Sequence, residues 1–194
     1  NTNLVLTGNG SAVFSSEYGY IGEALGAEVN LTVNNLQWTS TGLVTIGARG
    51  TGTVTLQSGS SLAVPDLTVG EGALNVSGVG SSCTSSDTLT VGFDGSGFLN
   101  ITGGGVLTDV AAFIGGTSVP SGIGTVTVSG AGSVWTTQKL TIGDVASGTV
   151  NITKSGVLNA SEATTIGSQG VLNLDGGTLN TQSLVVNFGG EFHW

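Results

Sequence analysis

The chain has 194 residues, of which 12 are acidic and three basic, for a formal charge of −9 at pH 7. Arg49, Lys139 and Lys154 are the whole positive inventory, so the clustered cations that neutralise a nucleic-acid backbone or an anionic membrane surface are lacking. No apolar run approaches the roughly 20 residues that span a bilayer, and Cys83 stands alone, which rules out an intrachain disulfide.

The hydrophobic fraction is 38% and alternates with polar residues, unlike that of a disordered chain. The 35 glycines and the abundant Thr, Ser, Asn and Val suit short strands broken by tight turns, and no segment carries a helical apolar stripe. In chain order, apolar strands end in glycine at Gly22, Gly47, Gly70, Gly92, Gly115, Gly143 and Gly167, at intervals of 22 to 28 residues. The residue before each glycine forms an inward column: Ile21, Ile46, Val69, Val91, Ile114, Ile142, Ile166 and finally Val186. A second strand follows each glycine, with inward pairs Val29/Leu31, Val54/Leu56, Leu74/Val76, Leu99/Ile101, Val126/Val128, Val150/Ile152 and Leu172/Leu174. Leu4/Leu6 and Phe192/Trp194 fit the same pattern at the two ends. A third strand places Val13, Trp38, Leu62, Cys83, Leu107, Trp135, Leu158 and Leu179 inward.

Three short strands in each period of roughly 22–28 residues predict an all-β parallel β-helix, a β-solenoid of about eight coils in one domain spanning 1–194. The approximate coil boundaries are 1–19, 20–42, 43–66, 67–88, 89–112, 113–139, 140–164, 165–183 and a partial 184–194. From the third strand to the next glycine the count is eight or nine residues, whereas from glycine to second strand it runs from four (Gly70 to Leu74) to eleven (Gly115 to Val126). Length variation thus concentrates in one corner, the edge where solenoids commonly meet partners. The longest insertion makes Thr117, Ser118, Val119, Pro120 and Ser121 the candidate partner-binding loop.

Two kinds of coil alternate. One carries Gly8-Asn9-Gly10-Ser11, Gly78-Val79-Gly80-Ser81 or Gly130-Ala131-Gly132-Ser133-Val134-Trp135 before the third strand; the other has a shorter turn such as Gly103-Gly104-Gly105 or Lys154-Ser155-Gly156. With Leu140-Thr141-Ile142-Gly143 and Gly124-Thr125-Val126-Thr127-Val128-Ser129, this unit resembles the T5SS/PEP-CTERM-associated repeat of autotransporter-like passenger regions, most closely over 89–160. The resemblance implies a right-handed parallel β-helix, secretion, and a place at the bacterial surface or in extracellular matrix. It transfers no catalytic residue. Cys83 departs from the motif, standing where Trp135 does in its own coil. The last residues stop in the middle of a second strand, from which a fragment of a longer solenoid is expected.

The acids read as two corner files. Glu23, Glu71, Asp94 and Asp144 follow the glycine, interrupted by Arg49 and Thr117; Asp66, Asp87, Asp109 and Glu162 precede the first strand, interrupted by Lys139. Solvated corner residues are the expectation, with no metal, no cofactor and no catalytic residue; weak calcium binding at these corners is the alternative. Like-charge repulsion in water is only about 1 kcal/mol per close pair. His193 falls in an outward polar column with Asn30, Thr55, Asn75, Asn100, Thr127, Asn151 and Asn173, expected to form a hydrogen-bonding surface ladder. Trp38, Trp135 and Cys83 are expected in the core, with the thiol inert.

The function expected is a non-enzymatic, extracellular or cell-surface structural or adhesive module, a rigid stalk or display scaffold. A surface glycan or a host or matrix protein is the expected partner, with end-to-end self-association at the terminal coils. The alternatives are a carbohydrate-active β-helix of lyase or hydrolase type and an ice-binding face built on Thr53, Thr55, Thr125 and Thr127.

Overall fold

A computed structural model describes residues 1–116 and 121–194. Among them are 23 strands and no helix, and every strand pairing is parallel. The second strands of successive coils stack into a nine-stranded sheet, from Thr2–Thr7 through Thr51–Gln57 and Ile123–Ser129 to Glu191–His193. The third and first strands share a 14-stranded sheet that runs up one series and down the other. The two series join through Val157–Ile166, a strand that carries the chain from third-strand to first-strand position with only a register shift near Ala160 and Ala163. The fold is therefore a β-solenoid with three strands per coil, as the periodicity predicts.

Alternation sends one face of each strand inward, and stacking turns the inward residues into ladders. Trp38, Leu62, Cys83, Leu107, Trp135, Leu158 and Leu179 pair in register along the third-strand series. Ile46, Val69, Val91, Ile114, Ile142 and Ile166 do the same along the first, all buried. In the second-strand series Leu56, Val76, Ile101, Val128 and Ile152 are fully enclosed.

Two expected positions are corrected. In the second coil Leu31 and Val33, not Val29 and Leu31, stand beside Val54 and Leu56, and Val29 stands beside Gly52. Val29, Leu31 and Val33 share one face of a seven-residue strand, and alternation with period two is unchanged by a slide of two residues. In the first coil Phe14, not Val13, stands beside Trp38; Val13 faces outward opposite Gln37. The larger ring covers the end of the ladder, with its centroid 5.9 Å from that of Trp38, and Ala12 packs on the core in the position before Val13.

The corner between first and second strand is the tightest. At Gly47 φ is +76°, and a Cβ there would overlap the Glu71 carbonyl of the next coil. At Gly148, inside a second strand, a Cβ would overlap the Ile114 carbonyl. Gly148 belongs to a column of glycines paired in register, Gly52, Gly72, Gly97, Gly124, Gly148 and Gly170, so backbone meets backbone at this corner in coil after coil.

Gly148→Val should therefore force the backbones apart and cost about 3 kcal/mol. Thr127→Ala, on the outward face of the neighbouring strand, should change stability by no more than about 0.5 kcal/mol. Urea unfolding of the two variants beside the parent chain reads the difference directly.

Candidate functional site

The variable corner carries a cleft. Leu43, Thr45, Thr68, Gly70, Phe93 and Asp94 line a cleft of about 250 Å³. Thr45 and Thr68 lie side by side on the outward face of adjacent first strands, and both side chains line it. Phe93 follows Gly92, where a left-handed glycine turns the chain out of the stack, and the ring stays 40% exposed. The Asp94 carboxylate accepts a hydrogen bond from the Ser121 hydroxyl at 3.2 Å. Of the candidate loop, Ser121 is thus brought to the cleft's acidic wall, while Thr117, Ser118, Val119 and Pro120 lie outside the described residues. An exposed ring, two hydroxyls and one carboxylate can stack on and hydrogen-bond a polyhydroxylated ligand.

The acids that precede the first strand do not form the expected file. Asp66 lies level with Thr88, whose N–H it accepts at 3.3 Å, and that level continues through Ala111 to Lys139. Asp87 and Glu162 lie on a different level, linked through the backbones of Val110 and Gln138. Asp109 is not solvated at all, being 3% exposed. Corner turns of unequal length shift each acid by a residue, which counting from the nearest glycine cannot show. Among the described residues no three Asp, Glu, His or Cys side chains converge as metal ligands would.

Asp109 sits inside the third-strand corner, where Trp135 Nε1 donates to its Oδ1 at 2.6 Å and Thr137 Oγ1 lies 2.7 Å from its Oδ2. Burial pushes its carboxyl up to about 6, against the opposing pull of those two contacts. One coil below, Cys83 is enclosed, and burial, aided by the charge of Asp109, pushes its thiol up to about 12. Trp38 repeats the indole arrangement near the other end, donating to the Ser16 hydroxyl at 3.1 Å. Both indoles are core residues, as expected, and each gives its N–H to the corner residue of the preceding coil. Sequence reasoning missed Asp109. The signal was available: a buried indole N–H requires an acceptor, and Asp109 follows Leu107 by two residues, the position that Ser40, Ser85 and Thr137 hold in their own coils.

The outward polar column does form a ladder. Asn100 Nδ2 donates to Asn75 Oδ1 at 2.9 Å, Asn173 Nδ2 to Asn151 Oδ1 at 2.8 Å, and His193 Nδ1 lies 2.8 Å from Asn173 Oδ1. Asn30 belongs to a neighbouring column, donating to Asn3 at 3.0 Å, and Thr32 takes its expected place beside Thr55. This is the same two-residue slide that moved Leu31. His193 is a surface residue whose Nε2 lies 3.1 Å from the exposed Glu191 carboxylate. The first-strand threonines Thr45, Thr68, Thr90, Thr141 and Thr165 do line up, but Phe113 interrupts them between Thr90 and Thr141.

Cys83 should not react with a thiol reagent in the folded protein at pH 8 and should react at the rate of a free thiol once the chain is unfolded in urea. Trp135→Phe leaves a buried carboxyl oxygen without its donor and should cost about 1–3 kcal/mol. Trp38→Phe, whose N–H meets a hydroxyl near the open end, should cost less; thermal unfolding compares the pair. Set against known proteins, the chain matches no family model, no curated protein and no solved structure.

Proposed function

We propose that this chain is a structural and adhesive module of a secreted or cell-surface protein, a stiff rod that displays a binding edge and catalyses no reaction. The observation that supports it is the unbroken parallel pairing from the first coil to the last. Coils stacked about 4.8 Å apart make a rod on the order of 40 Å long. Charge supports the same reading: the outward strand faces carry mostly uncharged residues, and, apart from Glu162 within Val157–Ile166, the acids and cations sit at turns and strand ends. The T5SS/PEP-CTERM-like coil motif supports a bacterial surface or matrix setting. End-to-end self-association of such rods belongs to the same proposal.

The cleft beside Phe93 favours a glycan as the displayed edge's partner, held without cleavage. Glycoside hydrolysis needs two carboxyl groups facing one bond, and the described lining of this cleft contributes only Asp94. A glycan array probed with the folded chain should show binding that Phe93→Ala weakens at least tenfold while the melting temperature stays unchanged. Release of oligosaccharide products, abolished by Asp94→Asn, would replace this proposal with a carbohydrate-active enzyme.

A further inference from the structure

The corner after the third strand carries a hydroxyl in most coils, and its hydrogen bonds follow one rule. Ser40 Oγ reaches the Glu17 carbonyl of the coil before at 3.1 Å and the Gly42 carbonyl just round the bend at 3.0 Å. Ser85 does the same with Pro65 at 2.8 Å and Thr88 at 2.9 Å, and Thr181 with Glu162 at 3.1 Å and Ser183 at 2.8 Å. In each case the single hydroxyl proton is directed at carbonyl oxygens. Thr137 occupies the same place, 3.2 Å from the Lys139 carbonyl and 3.4 Å from that of Val110, but its closest neighbour is Asp109 Oδ2 at 2.7 Å.

One hydroxyl proton cannot serve both the carboxylate and the carbonyls. If Asp109 is ionised, Thr137 must turn its proton to Oδ2, and the Lys139 carbonyl loses the hydroxyl donor that its counterparts in other coils keep, while the Val110 carbonyl retains the N–H groups of Gln138 and Lys139. A negative charge would also be enclosed with no cation beside it: the side chains of Lys139 and Glu162 are exposed at the neighbouring corner, as is that of Asp87, and the thiol of Cys83 faces the site from the coil below. If Oδ2 carries a proton, it donates to Thr137 Oγ1, Thr137 donates onward to Lys139, and Trp135 still donates to Oδ1. That arrangement leaves no partner unmet and no charge in the core.

We propose that in acidic surroundings Asp109 is a neutral carboxylic acid that bridges Trp135 and Thr137 of the next coil, so that this coil junction is tighter there than in neutral surroundings. The direction of the pH dependence follows from proton binding. The folded acid, held up near 6, keeps a proton that the unfolded chain releases near 3.8. The stabilisation is therefore complete below the lower value and is lost as pH rises through the upper one. Across that window the folding equilibrium constant should fall by roughly a hundredfold from this residue alone.

Asp109→Asn mimics the neutral acid, with its amide N–H₂ donating to Thr137 and its carbonyl accepting from Trp135. Urea unfolding at pH 4 and pH 7 separates Asp109 from the remaining acids, which both chains share. The variant should match the parent at pH 4 within a fewfold and exceed its folding equilibrium constant by about a hundredfold at pH 7. A variant less stable than the parent at pH 7 would overturn the proposal. A second measurement avoids any mutant: the side-chain carboxyl carbon of Asp109 in the parent chain, followed by NMR, should titrate near 6. Titration at or below 4 would show an ordinary ionised carboxylate and sink the idea.

Discussion

Nothing in a single coil can hide its own apolar side chains; the coil above and the coil below must do it. The second-strand ladder shows this dependence directly. Leu4 in the first coil is 50% exposed, its in-register neighbour Leu31 is 4% exposed, and Val54 in the third coil is fully enclosed. The residues share a strand face and similar volume, so the difference comes from the number of neighbours alone. At the other end Leu172 is fully enclosed, while Phe192 beside it is only partly covered. Stability in such a stack is a sum of junctions between coils rather than a property of any one.

That constraint explains where the chain can vary. Two strands of every coil are pinned by ladders and by the bend between them, so their spacing hardly changes. At the glycine corner the pinning is of a different kind. Gly115 and Gly124 bracket the longest insertion, yet a Cβ on Gly124 would contact the backbone nitrogen of Gly115. The ends of the loop are therefore in contact whatever its length, and the closure entropy grows only slowly with added residues. Glycine at both ends is what allows that approach. Phe93, Asp94 and Ser121 all belong to this corner.

The fold was legible because inward and outward positions differ in chemistry along every strand, and because the period repeats often enough to outweigh its irregularities. The register was less legible, for a definite reason. Apolar alternation specifies a face but tolerates a slide of two, so Leu31 and Asn30 were each placed one pleat away from their partners. Phe14 was missed differently: its coil lacks a neighbour below, and the covering of Trp38 by a ring outweighs the motif spacing that favours Val13. Within the candidate site, Ser121 was identified as a loop residue, but its contact with Asp94 and the role of Phe93 depend on how separate coils stack. Cys83, Trp38 and Trp135 were placed correctly since each replaces a leucine in the third-strand column, whereas Trp194 is 93% exposed. Asp109 was not, because a glance at residue type assigns an acid to solvent. Only the demand of an indole N–H for an acceptor, and the hydroxyl column to which the acid belongs, point inward.

The corner hydroxyls also show how a protein without disulfides or a metal cluster among its described residues keeps polar backbone inside its bends. A turn leaves carbonyls with acceptor capacity that backbone N–H groups do not fill. Ser40, Ser85, Thr137 and Thr181 each reach one such carbonyl in their own coil and one in the coil before, so the polar interior is stitched along the same axis as the apolar one. Among the described residues no buried side-chain nitrogen or oxygen lacks a partner. Asp109 is the exception in charge, not in geometry: it takes a hydroxyl's place and reaches the next coil as Ser16 reaches Trp38. Substituting a titratable group for a hydroxyl in an otherwise neutral seam makes one junction, among a set of near-identical ones, answer to proton concentration. In a stack whose stability is the sum of its junctions, that single junction is enough to make the whole rod answer.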